Sequence, residues 1–291
     1  MRSVAVLGPG GVGGLVAGAL TRAGTPVTVV AREETAALIA AEGIQVSSVR
    51  LGDFEARPRA VARLDEDVDV LIVATKASAL PAALERIVGE PGLVVPLLNG
   101  LDHMALLRER WGDRVCAATI RVNADRPAPG IVEHTSPFLR IDMALPTPEV
   151  EAAAHVFRAA EIPTKVSVSE PDVLWGKLVR LNALALTTTA FDANLGEIRG
   201  HPRWRLALEG AIEEGAAVAR ADGAGITSGE VLAEVAEAHD GLTTSMQRDV
   251  AEGREPELDA IAGAVLRAGA RHGVACPTIA DLADRVRGRL P

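Results

Sequence analysis

Apolar positions in the first half of the chain fall into two alternating patterns. Short aliphatic and β-branched runs at 3–8 (SVAVLG), 26–31 (PVTVVA), 68–75 (VDVLIVAT), 93–99 (LVVPLLN) and 114–122 (RVCAATIRV) have the length and composition of buried strands. Between them, 14–24, 34–43, 79–88 and 103–112 repeat apolar side chains at helical spacing, with Gly24 as a stop for the first. The segments 44–49 and 55–62 read as a hairpin or meander, and 130–137 with 138–144 as an antiparallel pair. Strand and helix in alternation predict an α/β fold built on a doubly wound sheet. Beyond residue 168 the pattern changes. The stretches 171–192, 203–223, 228–242 and 258–273 all carry helical periodicity and few strand signals remain, so an all-helical C-terminal domain is expected. The run KVSVSEPDV, 165–173, is the best boundary, which divides the chain into 1–167 and 168–291.

Composition narrows the chemistry. A length of 291 residues suits two domains. Hydrophobic residues make up 48% of the chain but aromatics only 2%, and Tyr is absent, so the cores must be aliphatic and no tyrosine can serve as a catalytic acid. The same scarcity argues against base-stacking platforms for single-stranded nucleic acid. A net charge of −9 gives no general attraction to nucleic acid or to anionic lipid, although a local basic site could still hold a phosphate. Cys116 and Cys276 lie far apart, form no metal-ligand spacing and read as two reduced thiols. No apolar run approaches the ~20 residues of a membrane span and no secretory signal pattern is visible, so a cytoplasmic location is expected.

The stretch VAVLGPGGVGG carries Gly8, Gly10 and Gly13 in G-x-G-x-x-G order, after a strand and at the opening of a helix. That context turns a weak motif into a dinucleotide fingerprint and makes residues 1–167 a Rossmann-type domain. Gly8 permits the tight turn, Gly10 lets the backbone approach a pyrophosphate, and Gly13 lets the helix pack on the strand. Val12 lies within the same cofactor-binding loop, and the helix N-terminus offers N–H groups to the phosphates. The second strand ends VTVVAREE. Arg32 stands where a 2′-phosphate needs a cation and where a carboxylate would select the ribose hydroxyl, which favours NADPH over NADH, although Glu33 and Glu34 follow at once.

Lys177 interrupts the apolar helix LWGKLVRLNALALTTTA. It could lay its stem on the core and keep its ammonium in water, or it could be an acid awaiting a substrate. Three stretches bear on the choice: ATKASAL with Lys76, PLLNGLDH with Asn99 and Gly100, and LWGKL itself. In this order, behind an N-terminal glycine loop, they resemble the ketopantoate reductase (2-dehydropantoate 2-reductase) family. The segment TTSMQRDVAEGREPELDAIAGAVLRAGARHGVACP is similar to that family's C-terminal Ser-Ser-Met…Glu-Ile-Asp…His-Gly…Pro stretch, so the resemblance spans nearly the whole chain.

The resemblance implies NADPH-dependent reduction of a 2-keto acid, with 2-dehydropantoate to pantoate, a step of pantothenate biosynthesis, as the most nameable case. It also implies a role for each matching residue. Lys76 would lie near the adenosine end of the cofactor and help Arg32. Asn99 would contact the nicotinamide ribose or the substrate. Lys177 would be the general acid, Ser245 would bind the substrate, and Glu257 would order ribose, substrate and lysine. Without the resemblance, Ser245 reads as a helix N-cap and Glu257 as a first-turn acid. The chemistry is sound on its own terms, since hydride transfer to a ketone leaves an alkoxide that a positioned ammonium can stabilise and protonate.

One departure matters. Leu181 and Ala185 stand one and two turns beyond the lysine, where family members commonly carry Asn. Asn182 is about 140° around the helix from Lys177, and Thr187 and Thr188 are the remaining candidates to supply hydroxyls. A different carbonyl substrate, a β-hydroxyacid dehydrogenase, and a non-catalytic NADP-binding sensor therefore remain as alternatives. The helical domain could pair through an apolar face, which leaves a homodimer open.

Overall fold

The computed structural model describes residues 3–290. The chain forms two compact units. The first runs to Leu98 and resumes over His103–Val173, and the second comprises Asn99–Asp102 together with Leu174 onward.

In the first unit β1 (Val4–Leu7), α1 (Gly11–Arg22), β2 (Val27–Val30) and α2 (Glu33–Glu42) open a βαβ alternation with β1 and β2 parallel. Next come β3 (Ile44–Ser48), β4 (Phe54–Ala56), β5 (Arg59–Val61) and β6 (Val68–Val73). A short 3₁₀ turn leads into α3 (Leu80–Leu84), followed by β7 (Pro91–Pro96) and α4 (His103–Trp111). The unit closes with β8 (Ala118–Arg121), β9 (Ala124–Ala128), β10 (Ile131–His134), β11 (Arg140–Ala144), α5 (Pro148–Ala159) and β12 (Thr164–Ser167). The main sheet is parallel, in the order β5-β2-β1-β6-β7. Its inner strands β2, β1 and β6 are largely buried, as parallel strands between covering layers must be, while the edge strand β5 is not, and the order reverses direction about β1. Such a reversal opens a crevice outside the carboxyl ends of the strands, which is where this class of sheet binds ligands.

Two segments pair differently from the sequence expectation. The run 55–62 is not one strand. Pro58 has no N–H to give a ladder, and the chain splits there into β4, antiparallel to β3, and β5, which joins the main sheet beside β2. The segments 130–137 and 138–144 do not pair with each other. β10 pairs with β3 and β9, while β11 pairs with β8 and β12. The corner between them is set by Ser136, whose hydroxyl donates to the Phe138 carbonyl (2.7 Å) and accepts from the Asn123 N–H (2.9 Å), next to Pro137.

The second sheet lies against α1. Along that helix Gly11, Gly14 and Gly18 form a row with almost no side chain. A Cβ on Gly11 would overlap the Ala124 carbonyl, and one on Gly14 would come within 2.7 Å of the Val132 side chain. These glycines therefore serve packing, and the helix is held between two sheets.

The helix α6 (Glu170–Phe191) contains the boundary between the units. The second unit adds α7 (Leu195–Gly200), α8 (Pro202–Ala221), α9 (Ser228–Glu237), α10 (Ser245–Ala251), α11 (Ala264–His272) and α12 (Pro277–Arg287). Capping boxes set two helix starts, Asn194 with Glu197 and Thr227 with Glu230. Trp175 is the largest fully buried side chain and donates to Asp222 (2.8 Å), whose other oxygen lies 2.7 Å from His272 Nε2, so α6, α8 and α11 are tied at one point. A π-turn at Asp259–Gly263 leads into α11. Among the described residues no helix is long and apolar enough to cross a membrane. Both thiols are buried, and burial pushes Cys116 up to about 11, which keeps it protonated at neutral pH.

Candidate functional site

In the first unit the glycine loop has the form a dinucleotide needs. Gly8 directly follows β1 with φ +90°, a conformation that side chains oppose, and its N–H is held by the Val30 carbonyl at 3.0 Å. Gly10 caps α1, and a Cβ there would meet nothing within 4 Å, so open space lies beside the helix N-terminus. Val12 is half-buried in the first turn, and Gly13 packs directly on the Gly8 carbonyl. First-turn N–H groups have no partner within a helix and carry the positive end of its dipole, so this loop fits a pyrophosphate.

Arg32 caps α2 and is exposed. The following Glu33 would be expected to repel a phosphate, but Arg86 takes hold of it. The Arg86 guanidinium donates to both Glu33 oxygens (3.0 and 3.4 Å) and is itself fixed by the Ala31 and Ala62 carbonyls. This partner, together with the α2 N-terminus, holds the Glu33 carboxyl below its ordinary range. Arg86 was invisible as a site residue in sequence because it lies 53 positions away from Glu33. Lys76 is exposed just beyond β6, next to Thr75, which comes within 2.7 Å of the Cβ that Gly8 lacks. The loops after β1, β2 and β6 thus bring Gly8, Gly10, Arg32 and Lys76 to the carboxyl end of one sheet.

The second unit gathers three of the other candidates. Trp175, Leu178 and Val179 turn α6 toward the core, and Lys177 occupies the opposite face, half-buried. Its Nζ donates to Asn99 Oδ1 at 2.7 Å, and Asn99 Nδ2 donates to Glu257 Oε2 at 2.9 Å. An ammonium only donates and a carboxylate only accepts, so the two partners fix which way the amide faces. Gly100, at φ +87°, allows the chain to turn directly after Asn99. Ser245 is the exposed first residue of α10. Thr244 is the N-cap, accepting from the Gln247 N–H at 3.4 Å.

The remaining candidates on α6 are spent on structure. Thr187 and Thr188 are fully buried and return their hydroxyls to the Ala183 and Leu184 carbonyls (2.7 and 2.8 Å), and Thr188 also meets Thr244 Oγ1 at 2.8 Å. Asn182 is completely buried, and neither of its amide atoms has a hydrogen-bond partner. Leu181 is half-buried on the lysine face, and Ala185 beyond it is covered.

Residues 4–144 match the family model described as Ketopantoate reductase PanE/ApbA, and residues 172–289 match its C-terminal counterpart. The chain is 29% identical to a 2-dehydropantoate 2-reductase of Halobacterium salinarum, covering 98% of this chain and 97% of that one. It is 31% identical to the enzyme of the same name from Caulobacter vibrioides, over 95% of each. Among solved structures, a 2-dehydropantoate 2-reductase from Geobacter metallireducens superposes with a TM-score of 0.90 at 26% identity, covering 98% of this chain and 99% of the other.

Proposed function

Because the chain belongs to the ketopantoate reductase family, we propose that it uses NADPH to reduce a 2-keto acid, 2-dehydropantoate, to the 2-hydroxy acid, with Lys177 as the general acid. The observation that carries this reading is the hydrogen-bonded chain Lys177–Asn99–Glu257. When bound, the reduced nicotinamide supplies a hydride to the carbonyl carbon. The Lys177 ammonium carries three N–H bonds. Asn99 takes one of them and so aims the head group, and another can meet the substrate oxygen. As the C–O double bond opens, negative charge gathers on that oxygen, and a preplaced cation is worth most at that moment. Lys177 then hands over a proton to complete the hydroxyl. Glu257 holds Asn99 from the far side and keeps a balancing negative charge one amide away. Ser245, at the exposed start of α10, is suited to the substrate carboxylate.

In the first unit, the glycine loop from Gly8 to Gly13 would hold the pyrophosphate, and Arg32 with Lys76 the 2′-phosphate. Pairing of Glu33 with Arg86 supports NADPH, since it neutralises the nearest carboxylate. A second reading, a family reductase for a 2-keto acid with an apolar substituent, draws on Leu181. An intact lysine–amide–carboxylate chain argues against a sensor that has lost its chemistry.

The test follows absorbance of NADPH with 2-dehydropantoate and a panel of 2-keto acids, in wild type and Lys177→Ala. Turnover that disappears in the variant, with NADPH still bound, is the expected result. Unchanged kcat in Lys177→Ala would sink the acid assignment.

A further inference from the structure

We propose that Arg267 is a positioning residue for the reduction, clamping the Asn99 loop to the Glu257 turn so that the lysine–amide–carboxylate chain stays closed. The inference rests on the reading of Lys177 as the acid. Asn99 and Glu257 are 158 positions apart in the chain, and their 2.9 Å bond needs two loops held in register. Ties of three kinds cross that seam. The first is the Asn99–Glu257 bond itself. The second is a backbone contact: a Cβ at Gly100 would overlap the Ala260 carbonyl oxygen and lie 2.9 Å from the carbonyl carbon. The third is the Arg267 guanidinium. On one side its Nη2 and Nε donate to Asp102 Oδ2 at 2.6 and 3.2 Å. On the other side its Nη1 donates to Asp259 Oδ1 at 2.8 Å, and Nη2 to the Asp259 carbonyl at 3.0 Å.

The π-turn explains why this clamp is needed. Its i→i+5 bond, from the Ala264 N–H to the Asp259 carbonyl, belongs to a helix type that is rare and occurs mostly as single turns. Arg267 supports it by bonding the same carbonyl. Gly263 leaves room for it, since a Cβ there would lie 2.9 Å from Arg267 Nη1. Asp102 and Asp259 are both well exposed, as is nearly half of the arginine side chain. Exposed ion pairs add little to global stability, so the clamp's contribution falls on geometry. A planar fork that reaches two carboxylates at fixed angles suits that task better than an ammonium would.

Three variants test this with the 2-keto acid that the wild-type enzyme turns over fastest. Arg267→Gln should lower kcat roughly tenfold or more, the scale of a misplaced catalytic group, with KM for NADPH and thermal midpoint nearly unchanged. Asp102→Ala, which removes the acceptor of the loop arm alone, should reproduce most of that loss, and the double variant should be no worse than Arg267→Gln because both break one device. Arg267→Lys should recover only part of kcat. Wild-type kcat in Arg267→Gln overturns the proposal, and so does a loss that merely tracks the folded fraction. Lys177→Ala measured alongside separates the two levels. If it keeps full kcat, the acid reading falls and the clamp's purpose with it. If it loses turnover while Arg267→Gln does not, only the clamp falls.

Discussion

Asn99→Ala removes both links of the Lys177–Asn99–Glu257 chain with one truncation. The ammonium–amide bond is 2.7 Å and the amide–carboxylate bond 2.9 Å, and each has one charged partner. Hydrogen bonds of that kind contribute about 1.5–3 kcal/mol apiece. Asn99 is half-buried, so water can re-enter and replace part of the loss. Roughly one bond's worth should remain missing when charge develops on the substrate oxygen. At about 1.4 kcal/mol per decade, kcat should fall roughly 10- to 100-fold. Asn99→Asp has almost the same shape and tests the direction of the amide. It keeps an acceptor for the ammonium but sets an oxygen where Nδ2 now lies, 2.9 Å from Glu257 Oε2. Two unit charges that close repel by about 6 kcal/mol at an effective dielectric near 20, before the side chains move apart. The Asp variant should therefore be at least as slow as the Ala variant. The assay is steady-state kcat by NADPH absorbance at saturating 2-keto acid, with NADPH binding measured separately by fluorescence. A kcat within about threefold of wild type in Asn99→Ala, or an Asp variant clearly faster than the Ala variant, would refute the reasoning.

Three further outcomes follow from the geometry. Arg86→Ala should release the Glu33 carboxylate beside Arg32 and raise KM for NADPH several-fold more than KM for NADH; equal changes would remove Arg86 from cofactor selection. Leu181→Asn restores an amide one turn beyond the lysine and should shift kcat/KM toward 2-dehydropantoate and away from phenylpyruvate; an unchanged ratio would show that this face does not meet the substrate. Burial holds His134, bonded to Ser48 and Ser136, below its ordinary value of 6.5, so below about pH 6.5 the unfolded chain takes up a proton that the folded chain refuses. Stability from this site is complete above that pH and is lost as pH falls toward the depressed folded value. The drop in thermal midpoint between pH 7 and 5 should therefore be shallower in His134→Gln, and equal slopes would exclude His134 as its source.

Local signals carried the glycine turn, the parallel strands and the long C-terminal helices into view, because each depends on spacing within one segment. Family resemblance added Asn99, Lys177 and Glu257 as a set. What stayed hidden was long-range. The segment 55–62 reads as one run in sequence, and nothing local to Pro58 shows that the strand after it joins another sheet. The pairing of β10 with β3 depends on a corner at Ser136 whose bonds run to Asn123 and Phe138. The helix α5 lies outside the expected elements although Val150, Ala153, Ala154 and Phe157 mark a buried face and Thr147 caps it. The extra glycines of α1 gave no hint that a second sheet would press on them. Arg86 and Arg267 each looked like one more surface cation, since their partners lie far away in sequence. The hydroxyls of Thr187 and Thr188 were available on paper, yet helix carbonyls claim them.

The assignment of Asn99–Asp102 to the second unit bears on inheritance and synthesis. Four residues of that unit are encoded in the middle of the other, so no single cut of the gene yields a C-terminal piece with its own amide. A fragment starting at Leu174 would keep Lys177 and Glu257 but lack the group that joins them. On the ribosome, Asn99 is made long before the helices it serves and must wait for them. The two halves are thus poor candidates for exchange with other proteins one at a time, and the lineage is expected to have kept them together as a single transmissible piece.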